Sequence, residues 1–151
     1  MPPNGMYPAR VDDKGRLKVP KSFEQYFGAL PEKKLFVTSL DRRIGRIYPI
    51  TAWKKTADFI LNFGAEPETA ERVWFVAQDL GADSEMDGQG RILLPPELRR
   101  ELMIEDQPVR LCAAYEHVEI LSEAIYQERR QHSLPDKLTS DVHVLKRAGM
   151  R

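Results

Sequence analysis

One cysteine, three histidines and a formal net charge of zero leave this 151-residue chain poor in the means of several kinds of chemistry. Cys112 stands alone, so no disulfide can form within the chain and no cysteine cage can hold zinc. It reads as a small buried hydrophobe rather than a reactive thiol. His117, His132 and His143 show no HxxxH or HExxH spacing, and neither a G-x-S-x-G elbow nor a phosphate-binding P-loop is present. No catalytic residue, metal or cofactor is implied, and the chain is not expected to be an enzyme. No apolar run approaches the ~20 residues that cross a bilayer. The opening MPPNGMYPAR lacks the basic-then-apolar order of a signal peptide. A cytoplasmic protein without a membrane partner is the expectation.

The zero net charge conceals an uneven distribution. Residues 1–55 carry 12 Lys/Arg against 5 Asp/Glu, and residues 56–151 carry 11 against 18. A neutral protein can still present a basic face, the electrostatic footprint of a polyanion site, although a solvated charged surface explains such an excess as well.

What the chain does have is a repeat. Val11-Asp-Asp-Lys-Gly-Arg-Leu-Lys-Val-Pro20 returns as Met86-Asp-Gly-Gln-Gly-Arg-Ile-Leu-Leu-Pro95. Asp12 and Asp87, Gly15 and Gly90, Arg16 and Arg91, and Pro20 and Pro95 fall in one register. Each copy reads as a hairpin whose glycine supplies the positive φ of a tight turn. The Asp carboxylate is placed to accept from turn N–H groups, and the Arg four residues on can reach back to it. Leu17 and Val19, like Ile92 and Leu94, then point to the core.

After Pro20, Phe23, Tyr26 and Phe27 at i, i+3, i+4 spacing predict a short amphipathic helix; Leu98 and Leu102 repeat it after Pro95. Strands are expected over 35–40, 46–49, 109–114 and 118–121. A helix is expected from Thr51 as N-cap to Leu61, and another from Pro67 to Leu80 ending at Gly81. In the second, Ala70, Val73, Trp74 and Ala77 form one apolar face, which Phe75 and Val76 widen enough to imply burial on more than one side. A further helix should follow Ser122 to about His132, with His117 in a loop. The tail beyond Leu134 reads as an accessory helix or a loose end.

The copies differ in charge. Arg10, Lys14, Lys18 and Lys21 of the first correspond to Glu85, Gln89, Leu93 and Pro96 of the second. The first hairpin thus presents positive charge that the second has lost, which suggests that one copy meets a polyanion while the other serves assembly. Leu93 makes its strand apolar on both faces and is expected to be buried against another chain or the other half. About four cations per subunit bind a polyanion weakly, so oligomerisation is expected to supply avidity.

At these residues the chain resembles the MraZ family, a two-copy member of the SpoVT/AbrB group of transcriptional regulators. The likeness rests on Gly5-x-Tyr7, on Asp12-x-Lys14-Gly15-Arg16-Leu17-x-Val19-Pro20, on Ile47-Tyr48-Pro49 with Trp53, and above all on the run from Met86 through Arg99. It implies an α+β, β-rich fold of two tandem swapped-hairpin β-barrel halves with short helices. The halves would occupy residues 5–55 and 82–130, with a helical connection over 56–81 and a tail over 131–151. It also implies a ring-like homo-oligomer that binds double-stranded DNA at repeated promoter sites of the division and cell-wall gene cluster, most often as a repressor, in the cytoplasm and on the nucleoid. Carried over by position, Asp12, Lys14 and Arg16 form the DNA-reading motif, with Asp87 and Arg91 their equivalents. Together with the charge reading, the expected DNA contacts are Arg16, Lys14 and Lys18 in or beside the major groove and Arg10 and Lys21 on phosphates. Asp12, Gly15, Asp87, Gly90 and Arg91 build the turns. Arg16 either reads bases or only braces its hairpin. The rival functions are a ring-forming scaffold, an RNA- or protein-binding module, and an antitoxin-like regulator of the same barrel class, although such antitoxins carry one barrel copy and a disordered tail.

Overall fold

The structure is a computed structural model that describes residues 1–151. In chain order its elements are β1 (Met6–Val11), β2 (Arg16–Lys18), α1 (Lys21–Gly28), β3 (Leu35–Ser39), β4 (Gly45–Pro49), α2 (Ile50–Leu61) and α3 (Pro67–Leu80). They continue as β5 (Ala82–Ser84), β6 (Arg91–Leu93), α4 (Pro96–Leu102), β7 (Pro108–Ala114), β8 (His117–Ser122), α5 (Glu123–Gln131) and α6 (Pro135–Arg147).

All eight strands join one antiparallel sheet in the order β5-β3-β4-β8-β7-β1-β2-β6. A single bridge between Met86 and Ile92 brings β6 back to the chain just past the end of β5 and nearly closes the sheet into a barrel. The order is that of a swapped pair. Strands β1–β4 correspond to β5–β8, and each half sends strands between those of the other. Two pairings join equivalent strands, β2 with β6 and β4 with β8, so a pseudo-two-fold axis passes through both ribbons. The expected α+β, β-rich, swapped-hairpin barrel is the fold observed.

Hydrophobic alternation fills the barrel. Leu17, Ile47, Ile92, Val109, Leu111, Val118 and Ile120 point inward with no exposed surface, and Phe23 of α1 and Leu98 of α4 plug the barrel from equivalent helix positions. Each short helix follows a proline, Pro20 or Pro95, whose fixed φ sets the extended entry and stops the strand. A second, smaller core lies outside the barrel, where α2 and α3 cover β3 and β4. There Trp53 stacks on Phe36 at 4.4 Å, and the buried Thr38 hydroxyl donates to the Ala77 carbonyl at 2.7 Å. With both faces covered, every residue of β3 is buried, which is why its sequence, LFVTS, shows little alternation.

Several local expectations are corrected. Helix α2 starts at Ile50 with Pro49 as its N-cap residue, and Thr51 lies exposed inside the first turn. The proline already holds the extended φ that a capping threonine would otherwise provide. Phe75 is 63% exposed: α3 buries Ala77 and Leu80, packs Val76 on the barrel core and Trp74 on Trp53, and leaves Phe75 as the one member of its wide apolar face in solvent. His117 is no loop residue: it opens β8, buried, with its ring 4.7 Å from that of Tyr48. Leu93 is 56% exposed and is not covered by the other half. Of the two readings of the tail, the accessory helix is the one observed, as α6, and it buries no residue.

Candidate nucleic-acid interface

The two repeat turns are built alike to the atom. Asp12 accepts hydrogen bonds through Oδ1 from the backbone N–H groups of Lys14 and Arg16, both at 2.9 Å, and through Oδ2 from Arg16 Nε at 2.9 Å. Asp87 does the same with Gln89 N at 2.8 Å, Arg91 N at 3.0 Å and Arg91 Nε at 2.9 Å. The carboxylate closes the turn and at the same time aims the arginine. Only Nε is used, so both Nη groups of Arg16 and of Arg91 are left without a partner in the chain. Bracing and reading are therefore compatible in one side chain: the clamp fixes the guanidinium plane while its outer fork stays open.

Glycine is required in both turns. Gly15 has φ +81° and Gly90 φ +73°, and each is roofed by the other half. A Cβ on Gly15 would lie 1.2 Å from Arg99 Nη1, and one on Gly90 would lie 2.8 Å from Glu24 Oε2. Glu24 and Arg99 occupy equivalent positions of α1 and α4, so each helix seats the opposite turn. The interlock is completed by Val19 N–H donating to Gly90 O at 3.0 Å and Leu94 N–H to Gly15 O at 2.9 Å.

Between the turns runs the β2–β6 ribbon, with Arg16 opposite Leu93, Leu17 opposite Ile92 and Lys18 opposite Arg91. Leu17 and Ile92 face the core. Arg16, Lys18, Arg91 and Leu93 share the outer face. Placing two cations, Lys18 and Arg91, directly opposite each other disfavours folding and needs compensation. It is met by Asp87 on Arg91 and by Glu24, 3.9 Å from Lys18 Nζ, while Lys18 also donates to the Gln89 carbonyl. Lys14 at the turn and Lys21 at the start of α1 are exposed, and their side chains make no hydrogen bond or ion pair within the chain. Arg10 is tied to Asp106, with Nη2 2.9 Å from both Oδ1 and the backbone carbonyl.

The charge excess of the first 55 residues is largely taken up elsewhere. Lys34 pairs with Asp83, Arg42 with Glu101, Arg43 with Glu128 and Lys55 with Glu116, each joining a basic residue of the first half to an acidic residue of the second. The two arginines of the 41–45 turn, Arg42 and Arg43, are thereby engaged, and Arg46 Nη1 is directed at the Tyr48 hydroxyl at 3.2 Å. Lys33 and Lys54 are also exposed without an acidic partner, and the ribbon with its first turn presents Lys14, Arg16 and Lys18 of the first half together with Arg91 of the second. Sequence reading placed Arg91 with the structural residues; only the β2–β6 register brings it onto the same face as Lys18. No group of three or more His, Cys, Asp or Glu is arranged to hold a metal ion. No helix is long and apolar enough to cross a membrane.

Both motif aspartates have their pKa lowered from the ordinary 3.8, chiefly by the backbone N–H of Arg16 or Arg91 and further by the second turn N–H and the guanidinium, against some desolvation. A depressed carboxylate stabilises the fold above its unfolded pKa, and that contribution is lost as pH falls through the folded value. The double variant Asp12→Asn, Asp87→Asn is therefore expected to unfold more easily than the parent at neutral pH, with the gap narrowing as pH falls below the ordinary carboxylate value of 3.8 and toward the lowered folded-state value. Thermal unfolding across pH 2–7 checks this; a gap independent of pH contradicts it.

Comparison with known proteins agrees with this architecture. The family model described as "MraZ protein, putative antitoxin-like" matches residues 81–141, which begin at the second hairpin. A protein of Acidobacterium capsulatum named transcriptional regulator MraZ is 35% identical over 104 residues, covering 66% of this chain and 68% of its own length. Proteins of the same name from Koribacter versatilis and Dechloromonas aromatica are each 33% identical, the first over 68% of this chain and 71% of its own, the second over 79% and 80%. With identity at this level over more than two thirds of each relative, and with the paired Asp-x-x-Gly-Arg turns interlocked in one barrel, this chain belongs to the MraZ family.

Proposed function

We propose that this protein is a sequence-specific DNA-binding transcriptional regulator, a repressor of the division and cell-wall gene cluster, that acts in the cytoplasm and on the nucleoid as a ring-like homo-oligomer on repeated promoter sites. The observation that carries the reading is the outer face of the β2–β6 ribbon, where Arg16 and Arg91 are clamped through Nε with their forks open and Lys18 stands beside them. A two-stranded ribbon enters the B-DNA major groove, and an arginine fork there pairs with a guanine. The relatives' printed names, transcriptional regulator MraZ, support the same reading.

In this reading Arg16 and Arg91 reach base edges, Lys14 and Lys18 lie in or beside the groove, and Lys21 contacts a phosphate. Arg10 exchanges Asp106 for a phosphate, an inexpensive exchange because exposed ion pairs contribute little. A single subunit offers few cations, so occupancy depends on several ribbons engaging adjacent repeats. Fluorescence anisotropy on DNA from upstream of the gene and on a scrambled duplex, from low to physiological salt, tests the proposal. Preference for the upstream duplex that persists as salt rises is expected, since counterion release erodes non-specific binding first. Equal, salt-labile binding to both would replace the regulator with a scaffold or an RNA-binding ring.

A further inference from the structure

From the place of Leu93 on the ribbon we infer that it is a specificity-determining residue that reads the 5-methyl group of thymine in the major groove. The inference rests on the DNA-binding reading above and adds to it a residue that carries no charge. Leu93 is 56% exposed, while its neighbours Ile92 and Leu94 are fully buried. It shares the outer face with Arg16, Lys18 and Arg91, so the only large apolar side chain of the ribbon's outer face stands beside three cations. That surround disfavours a plain apolar subunit contact, which would have to desolvate three charged groups. It suits DNA, where the cations meet phosphate and guanine and the leucine meets the one apolar group that a base pair displays in the groove.

The geometry makes the contact specific. Leu94 N–H donates to Gly15 O and Val19 N–H to Gly90 O, so those pairs are hydrogen-bonded and the intervening pair Arg16–Leu93 is not. Side chains approach most closely at such positions, where Cα atoms are ~4.5 Å apart. Arg16 and Leu93 therefore reach neighbouring base pairs. Ser84 Oγ donates to the Leu93 carbonyl at 2.9 Å and fixes the backbone of β6 where its pairing to β5 is thinnest. The pseudo-two-fold relates Arg16 to Arg91 but Lys18 to Leu93, so one end of the ribbon meets phosphate or guanine and the other a methyl.

The test is a cycle of protein and DNA changes. Wild-type protein and Leu93→Ala are titrated by anisotropy onto the upstream duplex, the same duplex with deoxyuridine in place of thymine, and a scrambled duplex. Salt is kept low enough for weak binding to be measured, and sedimentation gives the oligomer mass of both proteins. Wild type is expected to lose about fourfold in affinity per contacted thymine on removal of the methyl groups. Leu93→Ala should bind the natural duplex correspondingly more weakly, be indifferent to deoxyuridine, and keep the wild-type mass and unfolding midpoint. A deoxyuridine penalty absent from wild type, or fully retained in Leu93→Ala, overturns the inference while preference over the scrambled duplex leaves the regulator reading intact. A changed mass in Leu93→Ala also overturns it, by making Leu93 a subunit contact. Equal binding of wild type to natural and scrambled DNA removes the regulator reading and this inference with it.

Discussion

Arg16→Ala is expected to weaken binding to the upstream duplex about 10- to 100-fold, the cost of losing one bidentate guanine contact. Arg91→Ala should lose a comparable factor. Each subunit of an oligomer would repeat the loss, so the combined variant is expected to show no preference over scrambled DNA. The fold should survive both changes. Asp12 keeps its two backbone donors, Lys14 N and Arg16 N, when the guanidinium is removed, and the pair itself is about a third exposed. Arg16→Lys distinguishes a fork from a charge: it retains the cation but offers no planar pair of donors, so it should rescue non-specific binding at low salt and leave discrimination lost. Unchanged affinity in Arg16→Ala, or lost affinity accompanied by a collapsed unfolding midpoint, would assign Arg16 to the hairpin alone.

Phe23→Ala is expected to cost roughly 3–5 kcal/mol of folding free energy. The ring is fully buried in the barrel core and meets Tyr7 edge to face at 5.1 Å, with Phe27 one turn further along the helix. Against a total stability of about 5–15 kcal/mol for a small protein, that is roughly a fifth or more of the margin. The midpoint of thermal unfolding should fall by on the order of 10 °C. Leu98, the equivalent plug of the second half, is equally buried. Its replacement by alanine should cost about 2–5 kcal/mol, toward the lower end because less volume is removed. Urea unfolding of the two variants measures both. A loss below about 1 kcal/mol for Phe23→Ala would mean that the barrel end collapses around the missing ring, contrary to the close packing inferred here.

Much of the fold was legible because its signals are local. The turn glycines, the prolines at 20 and 95 and the i, i+3, i+4 aromatics of α1 each constrain a few adjacent residues, and α3 runs from Pro67 to Leu80 as its pattern requires. Where local signals misled, a distant contact or a neighbouring constraint decided. Pro49 outweighed Thr51 as the helix start, and the barrel covered one side of α3 and left Phe75 in solvent. The run of charge along the sequence suggested a broad basic front, yet cross-half pairs such as Arg42–Glu101 and Arg43–Glu128 take much of it up. His117 directly follows the polar turn Tyr115-Glu116 in sequence, but its strand lays it on Tyr48.

The sequence by itself determined the two clamps. Aspartate, glycine and arginine at fixed spacing close a hairpin through bonds among five consecutive residues, so a repeat in sequence becomes a repeat in structure. It also carried the asymmetry between copies, since Lys18 and Leu93 are simply different residues at matching positions. Only the tertiary structure decided that β2 pairs with β6, that Arg91 joins Arg16 and Lys18 on one face, and that Leu93 stands exposed among them. Those relations span some 75 residues and depend on how the interleaved halves share one core. Register across such a distance is set by burying Leu17 against Ile92 and by seating each turn under the other half's helix, neither of which leaves a mark in the sequence around either strand.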